Sequence, residues 1–186
     1  MTGFTLWFTG LSGSGKTTIA DIVAPELERH GRMVERLDGD VVRSHLSYGL
    51  GFSKADRDAN IERIGWVASR LTRMGAAVVV SAISPYEAAR RKARTLVEEF
   101  GPFVEVYVAT PLEECERRDV KGLYAKARAG EIPEFTGISD PYEEPTDAEL
   151  TLDTSVMSRQ QSVEAVLRLL TAGGWLAADQ PGGGAA

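Results

Sequence analysis

The octet Gly10-Leu-Ser-Gly-Ser-Gly-Lys16-Thr17 has the spacing of a loop that wraps the phosphates of a nucleoside triphosphate. Glycines let the backbone turn so that successive N–H groups face one anion. A following helix adds partial positive charge, the lysine reaches the β- and γ-phosphates, and the threonine hydroxyl suits Mg2+. Gly10, Ser12, Gly13, Ser14, Gly15, Lys16, Thr17 and Thr18 are therefore the candidate nucleotide-binding residues, with Lys16 also catalytic and Thr17 also a metal contact. A second signal is Asp38-Gly39-Asp40, with Arg43 one helical turn beyond. An alcohol acceptor needs its hydroxyl aligned and its proton received, which a carboxylate can do. One of the two acids can serve as that base and the other can hold Mg2+ through water. The same residues also suit a turn leading into a helix N-cap, and the two readings are compatible.

Cationic and amide groups follow. Arg57 and Asn60 lie three apart, hence on one helix face, and Arg117, Arg118 and Lys121 come later. Phe52 and Phe135 both stand in polar, glycine-containing loops, where two rings can sandwich a purine or simply anchor the loops on the body of the domain. The chain lacks a guanine-reading Asn-Lys-x-Asp string, and Ala82-Ile83-Ser84-Pro85 stands where an apolar run ending in Asp would mark a motor ATPase. A kinase acting on a small acceptor fits better than a GTPase switch.

Positioning these residues requires a particular order of elements. Phe4 to Thr9 is apolar on both alternating faces, as a strand buried on two sides must be. Ile19, Ile22, Val23 and Leu27 then recur at helical spacing as far as Gly31. Met33 to Leu37 reads as a second strand, and Ser53 with Asp56 three residues on caps a long helix running to Gly75. Ala76 to Ile83 is a central strand, Pro85 opens a helix to about Phe100, Phe103 to Ala109 is another strand, and Leu112 to Asp119 begins a further helix. Leu150 to Leu152 is a short last strand, followed by a helix marked by Val163, Val166, Leu167 and Leu170. The alternation predicts an α/β fold, a doubly wound parallel sheet of the P-loop type with helices on both faces. One domain spans residues 1–172, residues 122–145 form a mobile lid, and residues 173–186 form a flexible tail.

Composition narrows the partners. A net charge of −6 argues against a nucleic-acid or anionic-membrane footprint, so an anionic ligand must be held by local cations. Cys115 is the only cysteine, which excludes an internal disulfide and fits a reducing compartment. No charged, apolar and small-residue leader pattern opens the sequence, and no stretch is apolar enough to span a bilayer, so a cytoplasmic location is expected.

Taken together, the strings resemble those of the adenylylsulfate kinases from about Phe4 to Leu170. The carriers are Trp7-Phe-Thr-Gly-Leu-Ser-Gly-Ser-Gly-Lys-Thr-Thr18, Leu37-Asp-Gly-Asp40 with Arg43, Gly49-Leu-Gly-Phe-Ser53, and Asp56-Arg57 with Asn60-Ile61. Further carriers are Ile83-Ser-Pro-Tyr86, Arg118-Asp119, Lys121-Gly-Leu-Tyr124, Ala127-Arg-Ala-Gly130 and Phe135-Thr-Gly-Ile138. The resemblance implies transfer of the γ-phosphate of ATP, with Mg2+, to the 3′-hydroxyl of adenosine 5′-phosphosulfate. It implies that Arg43, Phe52, Arg57, Asn60, Ile83, Ser84, Lys121, Leu123 and Phe135 contact that acceptor together with Asp40, and that Arg118 lies near the donor nucleotide. Asp40 is assigned as base and Asp38 as metal partner, the reverse order staying open. A homodimer and functional coupling to ATP sulfurylase are further implications. Val41 and Ser139 depart from the family pattern, which more often has Asn and an acid there, although Asp140 stands beside the second. Two rivals stay in view: a kinase for another small acceptor such as a nucleoside or a sugar acid, and a module that binds ATP without turnover.

Overall fold

A phosphate-binding loop works only if a buried strand delivers it and a helix receives it, and both are present. The computed structural model describes residues 2–177. The chain begins with strand β1 (Phe4–Thr9), helix α1 (Lys16–Arg29), strand β2 (Val34–Asp38) and helices α2 (Gly39–His45) and α3 (Lys54–Arg73). It continues with β3 (Ala77–Ser81), α4 (Glu87–Glu98), β4 (Phe103–Val108), α5 (Leu112–Arg118) and α6 (Leu123–Arg128), and closes with β5 (Leu150–Leu152) and α7 (Arg159–Ala172). All pairings are parallel and the strand order is β2-β3-β1-β4-β5. The chain leaves β1 toward one edge, returns to β3, then crosses to β4 on the other side. The carboxyl end of β1 is thus the point where the winding reverses, the place for a ligand in such sheets.

Alternation along β1 builds the two cores. Phe4, Leu6 and Phe8 pack with Ile19, Val23 and Leu27 of α1 and Val163, Val166 and Leu170 of α7. Trp7 points the other way, into a cluster with Ile61, Ile64 and Ala68 of α3, Val78 and Val80 of β3, and Ala93 of α4. The parallel, doubly wound architecture agrees with the sequence expectation. The Ser53 side chain caps α3 by accepting from the Asp56 backbone N–H, as the spacing predicts.

Several boundaries differ from expectation, for physical reasons. The central strand stops at Ser81 rather than Ile83, and the next helix starts at Glu87 rather than Pro85. Between them Ser84 has a left-handed backbone (φ 50°), and the Ile83 carbonyl accepts from Thr9 Oγ1 and the Gly10 N–H instead of continuing a ladder. The segment 122–145, expected as a lid with no element assigned, contains α6. Asp119 stands in for an N-cap by accepting from the backbone N–H groups of Tyr124 (2.9 Å) and Ala125 (3.0 Å). Tyr124 and Ala127 then pack with Cys115 and Phe135 in a third apolar cluster. Packing also runs past the boundary expected at residue 172: Trp175 lies against Phe4, with ring centroids 6.5 Å apart, and Leu176 is buried. The rest of the expected tail, residues 178–186, lies outside the described residues.

Candidate active site

The loop between β1 and α1 is held in a shape that requires glycine at more than one position. Gly10 has φ 145° and a Cβ there would stand 2.5 Å from the Val108 carbonyl oxygen, so no side chain fits. Gly15 (φ 108°) occupies the N-cap position of α1 without a side-chain cap, which leaves the first-turn N–H groups available to an anion. The Lys16 ammonium donates to the carbonyls of Gly10 (2.9 Å) and Leu11 (2.8 Å) and is buried. That burial lowers its pKa to about 8.

Braces from distant elements hold the loop from behind. Thr110 Oγ1 and Thr154 Oγ1 donate to the Ser14 carbonyl at 3.0 and 2.8 Å, and Tyr124 Oη donates to the Ser12 carbonyl at 2.8 Å. Arg118 donates from Nη1 to Thr154 Oγ1 and from Nη2 to the Thr154 carbonyl, both at 2.8 Å, and from Nε to Glu114. Sequence reasoning missed Thr110, Tyr124 and Thr154 as loop supports. Thr154 follows β5 at the carboxyl edge of the sheet, and that position is the one signal that could have found it.

The acids stand directly beside the loop. Asp38 ends β2 and caps α2: its Oδ1 accepts from the Asp40 N–H at 3.0 Å, while its Oδ2 accepts from Thr17 Oγ1 at 3.0 Å. One carboxylate therefore both caps α2 and meets the phosphate loop. Asp40, one position into the helix, is exposed and forms an ion pair with Lys121.

The opposite wall is built from α3 and the segment after α6. Arg57 and Asn60 are both buried on one face of α3. Arg57 donates from Nε to the Phe52 carbonyl (2.7 Å) and from Nη2 to the Glu134 carbonyl, and its Nε lies 3.8 Å from Asp140 Oδ2. Asp140 in turn accepts from Tyr86 Oη at 2.6 Å. Burial, with Asp140 as acceptor, pushes the Tyr86 hydroxyl up to about 12. Asn60 Oδ1 is buried without a hydrogen-bond partner, an unmet acceptor in the wall of the cleft.

The two rings differ. Phe52 is exposed, with the guanidinium of Arg43 4.4 Å and that of Arg57 5.6 Å from its centroid. Phe135 is buried, edge-on to Tyr124 at 5.0 Å. Phe135 is thus a loop anchor, and both rings line the same cleft.

That cleft has a volume of about 950 Å³, near the top of the roughly 300–1,000 Å³ seen for small-molecule sites. Lys16, Thr17, Thr18, Asp38, Asp40, Arg43, Arg57, Asn60, Ile83, Ser84, Arg118, Lys121 and Leu123 line it, together with Ser12, Gly13, Gly15 and the two rings. Of the residues expected there, Gly10 and Ser14 lie beneath the surface and shape the loop through their carbonyls. A phosphate cradle, two carboxylates, an arginine clamp and an aromatic wall share one cavity, which is an arrangement for moving a phosphoryl group between two anionic ligands.

A family model described as adenylylsulphate kinase matches residues 2–153. The chain is 56% identical over 174 residues to an adenylyl-sulfate kinase of Picosynechococcus, covering 94% of this chain and 97% of that protein. It also superimposes on the Mycobacterium tuberculosis APS kinase solved with AMPPNP and APS, with a TM-score of 0.87 and 48% identity, covering 91% of this chain and 98% of that one. A sugar kinase from Janibacter, 20% identical with a TM-score of 0.63, covers 91% and 95% and shares the fold alone. With a family model matched across most of its length and a relative more than half identical, this chain belongs to the adenylylsulphate kinase family.

Proposed function

We propose that this chain transfers the γ-phosphate of ATP to the 3′-hydroxyl of adenosine 5′-phosphosulfate, giving ADP and 3′-phosphoadenosine 5′-phosphosulfate. The observation that carries this reading is the 3.0 Å hydrogen bond from Thr17 to Asp38, which sets the acidic pair against the phosphate loop within one cleft. The Mycobacterium tuberculosis relative, solved with AMPPNP and APS, supports the choice of ligands.

The loop N–H groups and Lys16 hold the triphosphate and offset charge gathering on the transferred group. Arg118, fixed by Thr154 and Glu114, flanks the donor side. Arg43, Arg57 and Asn60 orient the acceptor, with Phe52 and Phe135 around its base. Asp40 receives the proton from the attacking hydroxyl, and Lys121, its ion-pair partner, lies in contact with the acceptor side. The rate comes chiefly from alignment and charge neutralisation, because phosphoryl transfer requires little covalent work from the protein.

Among the described residues no three His, Cys, Asp or Glu side chains come together as a metal cage. Thr17 and Asp38 would hold Mg2+, which keeps several waters and takes its other oxygens from phosphates. When bound, Mg2+ supplies charge neutralisation at the β- and γ-phosphates. Homodimerisation, a cytoplasmic location and supply of the acceptor by an ATP sulfurylase belong to the same proposal. Its test is ADP release with a panel of acceptors at fixed ATP: turnover with adenosine 5′-phosphosulfate is expected, and turnover with a sugar acid or a nucleoside instead would overturn it.

A further inference from the structure

We propose that Arg90, a residue outside the cleft, is a positioning residue that locks the acceptor wall to the far end of the 122–145 segment; the acceptor half of this inference rests on the function proposed above. Arg90 lies on α4, is 2% exposed, and does not line the cavity. Its guanidinium donates two hydrogen bonds and stands in one ion pair. Nε meets Glu105 Oε1 at 2.9 Å, Nη1 donates to the Ser84 carbonyl at 2.8 Å, and Nη2 donates to the Glu143 carbonyl at 2.7 Å. The ring of Tyr142 lies beside it, 5.8 Å from centroid to guanidinium carbon.

Each carbonyl belongs to a segment with a role in the site. Ser84 is in the cleft wall and holds a left-handed backbone that a non-glycine residue adopts only under constraint. Its hydroxyl is fixed in turn by the Trp7 indole N–H at 3.0 Å. Glu143 is where the chain returns to the body after α6 and Phe135. Its N–H donates to the Pro85 carbonyl at 2.8 Å, and its carboxylate accepts from the Glu87 N–H at 2.7 Å. One residue earlier, Tyr142 Oη meets Thr9 Oγ1 at 2.8 Å, and Thr9 immediately precedes the phosphate loop. The planar fork of an arginine can hold two carbonyls in fixed directions while pairing with a carboxylate, which a point-charge ammonium cannot. Burying a charge is costly and an apolar pair could fill the same volume, so what the guanidinium adds is direction: it ties Ser84, Glu143 and Glu105 into one unit. The wall that meets the acceptor and the anchor of the segment that carries Phe135 are thereby set by one side chain.

The test compares the wild-type protein with Arg90→Lys, and with Arg90→Met combined with Glu105→Met, which removes both buried charges. In variants with wild-type urea unfolding midpoints, the KM for adenosine 5′-phosphosulfate should rise on the order of tenfold, the effect of one lost charge-assisted hydrogen bond. The KM for ATP and kcat should stay within about twofold, because the phosphate loop keeps its own braces. Trypsin should cut at Lys126 and Arg128 faster than in the wild type. An unchanged acceptor KM in folded variants, or acceptor and ATP KM values rising together, overturns the positioning role. Failure of the wild type to turn over adenosine 5′-phosphosulfate would bring down the proposed function instead. The proteolysis comparison would then decide the clamp alone, with equal cutting rates overturning it.

Discussion

Burial of Lys16 before nucleotide arrives makes a prediction about stability that needs no substrate. Its ammonium is held in the protein interior, and its pKa falls from the ordinary 10.5 to about 8. The folded protein therefore releases this proton at lower pH than the unfolded chain does. Between pH 8 and 10.5 unfolding takes up a proton, so stability rises with pH across that window, and below pH 8 the buried charge is a standing cost. At 1.36 kcal/mol per tenfold change in proton affinity, the full difference is roughly 3 kcal/mol, of which about 2 kcal/mol appears between pH 7 and pH 9.5. Urea unfolding of the wild type and of Lys16→Met at a series of pH values reads it out, together with the smaller coupling of Lys16 to Cys115. The difference in unfolding free energy should grow in favour of the wild type by about 2 kcal/mol over that range. Working below pH 10 avoids the tyrosines, whose raised pKa values oppose the trend only above it. A calorimetric titration with a non-hydrolysable ATP analogue gives the functional counterpart. Affinity should weaken above pH 8, approaching about tenfold per pH unit, as the free protein loses the charge the phosphates require. Parallel stability curves for the two proteins would refute the claim that the loop stores an ammonium at a cost.

The roles of the two acids separate by their dependence on metal. Asp38→Asn should raise the Mg2+ concentration for half-maximal rate by about tenfold, whereas Asp40→Asn should lower kcat by roughly 100-fold or more at any Mg2+ level; exchanged phenotypes would reverse the assignment. The two rings separate by burial. Phe135→Ala should cost about 3 kcal/mol in urea unfolding, while Phe52→Ala should leave unfolding near wild type and raise the acceptor KM. Gly65→Ala should destabilise the protein, because its new methyl would stand 2.8 Å from Ala93 Cβ where α3 crosses α4. The overpacking, about 1–3 kcal/mol, exceeds the roughly 1 kcal/mol of helix propensity gained, and Ala93→Gly in the same chain should recover part of the loss.

Features that depend on near neighbours along the chain are legible in the sequence. The period of Phe4 to Thr9, the glycine spacing before Lys16, and Ser53 with Asp56 each act within a few residues, so the strand, the phosphate loop and the helix cap were legible as local chemistry. The α6 helix escaped because its donors are satisfied from Asp119, outside the helical run, and its apolar face is completed by Cys115 and Phe135 from other segments. Phe52 and Phe135 looked alike because each sits among glycines and polar residues. Only packing made one a buried anchor and left the other stacked on guanidiniums.

The sequence by itself determined the class of chemistry, since a triphosphate cradle and a pair of acids are specified by residue type and short spacing. Tertiary structure alone decided their relation: β1 lies between β3 and β4, Asp38 reaches Thr17, and Thr154 braces Ser14 of the loop, 140 positions before it. The physical reason is that hydrogen bonds between remote residues leave no periodic trace in the chain; they come into being only when sheet order and burial bring the partners together.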